Sequence, residues 1–173
     1  MKFYSGFSLK NEEYFFKEFM NESEYTISGF SYGAIKAFEE VKKELENGRR
    51  VDTLQLFSPA FFQSKSEKFK RLQTLSYGKN KDLYIKMFLK SCFSPHELKK
   101  VEQVATSLEE LNELLEYTWS PSDLLLLQNK GVKIEVYLGS EDAVVDAPKA
   151  KEFFVLYSTV TYIKNANHFL QLD

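Results

Sequence analysis

The chain has 173 residues, 43% of them hydrophobic and 16% aromatic, with a formal net charge of -2; at that size one domain buries roughly two thirds of the surface its unfolded chain exposes. No run approaches the ~20 consecutive apolar residues of a membrane span, and Met1-Lys2-Phe3-Tyr4 leads into strand-like sequence without the apolar stretch of a signal peptide, so a cytoplasmic protein with no membrane span is expected. The near-neutral balance gives no footprint for nucleic acid, and the single cysteine, Cys92, can form no internal disulfide, in keeping with a reducing compartment.

Short β-rich runs alternate with longer helical stretches, the pattern of βα units on a parallel sheet. Strands are expected near residues 1–4, 24–28, 51–57, 132–138 and 159–164. Between the second and third, Ile35, Phe38, Val41 and Leu45 recur at helical spacing from Tyr32 to Asn47, and Gly48 supplies the stop. Pro59 to Ser122 holds no convincing strand. Its two capping boxes, Ser94-Pro95-His96-Glu97 and Ser107-Leu108-Glu109-Glu110, are each expected to open a helix. Pro121 and Ser122 start a further helix over Asp123–Lys130, and Gly131 breaks it before Val132-Lys133-Ile134-Glu135-Val136-Tyr137-Leu138. The expectation is a single α/β domain over 1–173, with a sheet of about five strands and a helical insertion over about 60–122. From Lys65 to Lys90 eight basic side chains stand against two acidic ones, a net charge of +6 inside that insertion.

Gly29-Phe30-Ser31-Tyr32-Gly33 lies directly between an expected strand and an expected helix. A nucleophile at such a junction needs small residues on both sides, because strand and helix backbones approach closely around a strained turn. The following helix aims its amino end at Ser31, so the N–H of Tyr32 can donate to a developing oxyanion. A second backbone donor is expected from the first loop, Ser5-Gly6-Phe7-Ser8, where Gly6 permits the turn and the N–H of Phe7 points to the site. A serine hydroxyl requires a base. His96 sits beside Pro95 in the first turn of an expected insertion helix, where capping and solvation account for it. His168 follows the last expected strand, at the carboxyl edge where catalytic groups gather. The third member should lie between serine and histidine in chain order, and Glu141, Asp142 and Asp146 all stand in the loop after Leu138. Cys92 has no histidine at a useful spacing, and no cluster of His, Cys or acids has metal-ligand spacing.

Through Gly29-Phe30-Ser31-Tyr32-Gly33, Gly139-Ser140-Glu141-Asp142 and Asn167-His168-Phe169, in that order, the chain resembles the α/β-hydrolase superfamily. The resemblance implies that fold with a helical lid and a triad of Ser31, His168 and Asp142, the last selected by its offset from Gly139. No cofactor or metal is implied. The elbow Gly29 to Ala37 and the compact size further resemble the short pimeloyl-[acyl-carrier protein] methyl ester esterases of biotin synthesis. That likeness implies hydrolysis of a carrier-bound methyl ester and an acidic acyl carrier protein as partner, which basic lid residues Lys65, Lys68, Lys70 and Arg71 would steer. Two features depart from the pattern: the first strand corresponds to the third of the superfamily, and Ser5-Gly6 stands where many relatives have His-Gly. A broader carboxylesterase or thioesterase, or a non-catalytic module holding an acidic partner, are the competing expectations. Phe57, Phe61, Phe62, Phe69, Tyr84, Phe88 and Phe93 are candidates to line an apolar channel.

Overall fold

A computed structural model describes all residues, 1–173. Five strands, β1 (Lys2–Tyr4), β3 (Thr26–Phe30), β4 (Thr53–Phe57), β6 (Lys133–Gly139) and β7 (Thr159–Ile163), form one sheet in the order β1-β3-β4-β6-β7, with every pair parallel. The central β3 and β4 are buried at every residue, as strands covered on both faces must be. β1 and β7, at the edges, are partly exposed. A second sheet of two residues per strand pairs β2 (Leu9–Lys10) antiparallel with β5 (Glu102–Gln103).

Six helices complete the fold: α1 (Tyr32–Glu46), α2 (Glu67–Lys79), α3 (Lys81–Phe93), α4 (Leu108–Glu116), α5 (Pro121–Asn129) and α6 (Ala147–Phe154). The boxed Ser107 caps α4 as its sequence suggests, its hydroxyl accepting from Glu110 N while the Glu110 carboxylate accepts from Ser107 N. The box at Ser94 does not open a helix. α3 ends at Phe93, and Ser94 closes it, donating its N–H to Lys90 O. His96 N–H then turns back onto Phe93 O at 2.8 Å, so the three residues that would start a new helix are spent ending the old one. β2 and β5 also depart from expectation, strands where none was expected, β5 within 59–122. At two exposed residues β5 carries no periodic signal. No helix is long and apolar enough to cross a membrane.

The core is dominated by aromatic rings between the sheet and the turn at Glu13–Phe16. Phe16 stacks on Phe57 at 4.8 Å and packs against Phe30 at 4.9 Å, and each fully buried ring stabilises the fold by about 1.5–3 kcal/mol. α1 begins where the backbone of β1 passes. A Cβ on Gly33 would meet Tyr4 O at 2.0 Å, so only glycine lets helix and strand lie this close. Gly78, in α2, has open space around it and ordinary helical geometry. Gly78→Ala is therefore expected to stabilise the protein by about 0.5–1 kcal/mol through lower unfolded-chain entropy. Gly33→Ala is expected to cost more than 3 kcal/mol or prevent folding, well above the usual single-substitution loss. Urea titrations followed by circular dichroism give the sign and size of both.

Candidate active site

Four loops leave the carboxyl ends of β1, β3, β6 and β7, and they converge. After β3, Ser31 adopts φ 54° and ψ -115°, a left-handed conformation that costs a non-glycine residue about 1–3 kcal/mol. Three hydrogen bonds hold it there. Ser31 N–H donates to Phe57 O at 2.9 Å, and Ser31 O accepts from Ala34 N and Ala60 N, both at 3.1 Å. The turn also requires Gly29, because a Cβ there would lie 2.1 Å from Gly33 O.

His168 stands opposite. Its Nε2 lies 3.0 Å from Ser31 Oγ, and its Nδ1 lies 2.7 Å from Asp142 Oδ2. A carboxylate can only accept, so Nδ1 carries the proton and donates to Asp142, leaving Nε2 as the acceptor for the Ser31 hydroxyl. Both the imidazole and the Asp142 carboxylate are wholly buried. The second oxygen of Asp142 accepts from Val144 N at 2.8 Å and Val145 N at 3.0 Å, which fixes the carboxylate plane before the histidine reaches it. The structure thus separates the three acids. Glu141 is exposed, and Asp146 caps α6 by accepting from Lys149 N at 3.2 Å.

The loop carrying His168 is bound on both sides. Phe169, next in the chain, stacks on Phe93 at 4.5 Å and Phe30 at 4.8 Å. Asn167 donates to Phe93 O at 3.0 Å and accepts from Gln171 N at 3.0 Å. Toward the acid, Glu141 N–H donates to Ala166 O at 2.9 Å, a contact made possible by Gly139, whose absent Cβ would meet Ala166 O at 2.3 Å. His96 lies outside this arrangement, its Nε2–H donating to Asn165 O at 2.8 Å. Cys92 is fully buried, and burial, reinforced by the charge of Asp142, pushes its thiol pKa up, away from nucleophilic chemistry.

Tyr32 opens α1, so its N–H precedes the first intrahelical bond and is free to donate at Ser31. The N–H of Phe7 has no acceptor within the protein, while the Phe7 ring packs edge-on to Tyr32 at 6.5 Å and to Phe88 at 5.8 Å. The phenol of Tyr32 points the other way. It donates to Glu113 at 2.6 Å, and burial together with that carboxylate raises its pKa far above the ordinary tyrosine value.

A cavity of about 240 Å³ opens at Ser31 beneath α2, α3 and α4, and no charged side chain lines it. Of the aromatic candidates, Phe62, Phe69, Tyr84 and Phe88 line this space. Phe57, Phe61 and Phe93 do not, because core partners claim their rings: Phe16 for Phe57, Phe153 and Phe154 for Phe61, and Phe169 for Phe93. The basic set divides as well. Lys68 and Arg71 are exposed, and the Lys65 ammonium lies 5.2 Å over the ring of Phe69. Lys70 is 9% exposed, its ammonium 3.2 Å from Glu116 and 3.4 Å from Glu67. It is a bridge between α2 and α4 instead of a free surface cation, since position 70 falls on the inner face of α2. No group of His, Cys, Asp and Glu could hold a metal ion.

No protein-family model matches the chain, and no curated protein matches it by sequence. Solved structures resemble it in shape. Carboxylesterase CesB from Bacillus subtilis aligns with a TM-score of 0.59 at 18% identity, over 91% of this chain and 57% of its own. A bromoperoxidase from Bacillus anthracis aligns with a TM-score of 0.60 at 13% identity, over 84% of this chain and 60% of its own. BioG from Haemophilus influenzae aligns with a TM-score of 0.56 at 10% identity, over 96% of this chain and 87% of its own. The chain thus spans little more than half the length of the two Bacillus enzymes and most of the length of BioG. With a parallel five-stranded sheet, a serine turn between strand and helix, and an acid and a histidine brought to it from later loops, the chain has the α/β-hydrolase fold.

Proposed function

We propose that the protein is a serine hydrolase of carboxylic esters, with Ser31 as nucleophile, His168 as base and Asp142 as the acid that orients it. The observation that carries this reading is the unbroken chain from Ser31 Oγ through both nitrogens of His168 to Asp142, buried at the mouth of an apolar cavity. Ser31 Oγ attacks the ester carbonyl carbon as its proton passes to His168 Nε2, and Asp142 stabilises the imidazolium. The carbonyl oxygen becomes an oxyanion, which the N–H groups of Phe7 and Tyr32 receive. Collapse of the tetrahedral intermediate expels the alcohol, which takes the proton from His168. Water, deprotonated by the same histidine, then attacks the acyl-enzyme and releases the acid.

The substrate we favour is a methyl ester at the end of an acyl chain borne by an acyl carrier protein, in the manner of pimeloyl-[acyl-carrier protein]. Three features support it. The elbow sequence and compact size resemble enzymes of that activity. The cavity is lined without charge, and an apolar space of about 150 Å³ already accepts a benzene ring. The insertion over the cavity carries exposed Lys68 and Arg71 with half-buried Lys65, which complement an acidic carrier. The same uncharged lining favours a second reading, a broader esterase acting on free acyl esters.

Ser31→Ala and His168→Ala are each expected to lower kcat on p-nitrophenyl butyrate by roughly 10⁴ to 10⁶, since triad members act as a unit, whereas His96→Ala leaves it near wild type. Asp142→Asn is expected to lose about 10⁴ by presenting the wrong imidazole tautomer. Glu141→Gln and Asp146→Asn should change it less than threefold, and a larger loss at Asp146 would move the acid there. Partner choice is read separately. Lys65→Glu, Lys68→Glu and Arg71→Glu together are expected to raise KM for carrier-linked methyl ester at least tenfold, about 1.4 kcal/mol, while p-nitrophenyl butyrate is cleaved as before. Equal effects on both substrates would favour the broader esterase.

A further inference from the structure

Glu12 is a carboxylate in the wrong place for a merely structural residue. It is 1% exposed and lies between β2 and the turn at Glu13–Phe16, yet no base pairs with it. One oxygen, Oε1, accepts the N–H of Gly6 at 2.6 Å. The other, Oε2, is buried with no hydrogen-bond partner. Burial pushes the Glu12 pKa up, against the backbone N–H of Gly6, its own N–H and the Ser5 side chain, which favour the charged form; Glu13, next in the chain, pushes it further up. A buried acid with an unpartnered oxygen lowers stability, so packing alone gives no reason for an acid at this position.

Its hydrogen bond falls on the Ser5–Gly6 peptide, which meets at the Gly6 Cα the Gly6–Phe7 peptide that carries the Phe7 N–H. Gly6 is closed in on its other face, where a Cβ would meet the Phe30 ring at 2.8 Å, and Gly6 O accepts from Leu9 N at 3.1 Å. The plane of the Gly6–Phe7 peptide determines where the unpartnered Phe7 N–H points. Glu12 Oε1 is the only side-chain acceptor on this loop's backbone N–H groups.

We propose that Glu12 is a positioning residue for the oxyanion hole, setting the Ser5-Gly6-Phe7 loop through Gly6 N–H so that Phe7 N–H faces the carbonyl oxygen of a substrate at Ser31. This rests on the esterase reading above. Such a residue contributes to the transition state and little to ground-state binding, because the oxyanion exists only after attack. Losing one oxyanion donor outright costs about 10² to 10³ in kcat, and a loosened donor costs less.

The test compares Glu12→Met, which fills the space without an acceptor, with Glu12→Gln, whose amide oxygen can still accept from Gly6 N–H. Ser31→Ala serves as the control, and p-nitrophenyl butyrate is the substrate. Glu12→Met is expected to lower kcat about tenfold to a hundredfold with KM within twofold, and to melt at or above the wild-type temperature. Glu12→Gln is expected to keep kcat within about threefold of wild type. Wild-type kcat in Glu12→Met, an equal loss in Glu12→Gln, or loss of the folded state in Glu12→Met would each overturn the proposal, the last by showing that the carboxylate is structural. A wild type without Ser31-dependent turnover would overturn the esterase reading itself, and the control separates that outcome from the others.

Discussion

Ser31 sits where strand and helix backbones come closer than any side chain allows, and the remaining parts of the site are placed relative to that contact. Its left-handed geometry is unfavourable in isolation. It persists because β4 accepts its N–H at Phe57 and because Ala34 and Ala60 donate to its carbonyl. One residue, through its N–H and its carbonyl, therefore joins β3, β4, α1 and the start of the insertion. The same turn leaves the first N–H of α1 beside Ser31, so in the proposed reaction the strained turn that carries the nucleophile also places a donor for the oxyanion.

The rest of the site is assembled by buried rings and main-chain bonds. Phe30, just before the serine, contacts His168 at 4.9 Å and Phe169 at 4.8 Å. Phe169 reaches Phe93 at the end of α3, and Phe15 packs on Phe169 at 4.7 Å. The histidine is thereby oriented from behind by aromatic packing and from the side by Asp142. These are rigid supports, which suits chemistry in which reacting atoms must be held within a few tenths of an ångström.

Much of this was legible in the sequence. The five strands of the main sheet stand out as short β-rich runs between helical stretches, and the elbow because a close backbone contact permits only glycine at Gly29 and Gly33. The position of Asp142 came from resemblance, since three acids in one loop look alike until the loop is folded. Other features were illegible for physical reasons. Ser94 to Glu97 satisfies a local capping pattern, but whether such a pattern opens or closes a helix depends on the helix before it, and α3 had already reached Phe93. Lys70 reads as one more member of a basic run, while its face of α2 turns it toward Glu116. Glu12 gave no signal at all. An acid six residues from a glycine means nothing until the turn between them folds back.

The two-residue ladder of β2 and β5 joins Leu9 and Lys10 to Gln103 and Glu102, and Val104 N–H adds a bond to Ser8 O at 3.1 Å. Its strands are separated by about ninety residues of chain, yet it ties the far limb of the insertion to the segment directly after Phe7. An outward swing of residues 102–104 must either break these main-chain bonds or drag Ser8 and Leu9 along. The insertion is thus tied to the loop that, in the proposed reaction, holds the second oxyanion donor. In the proposed reaction, movement of the insertion and placement of the Phe7 N–H would be mechanically coupled through Ser8 and Leu9.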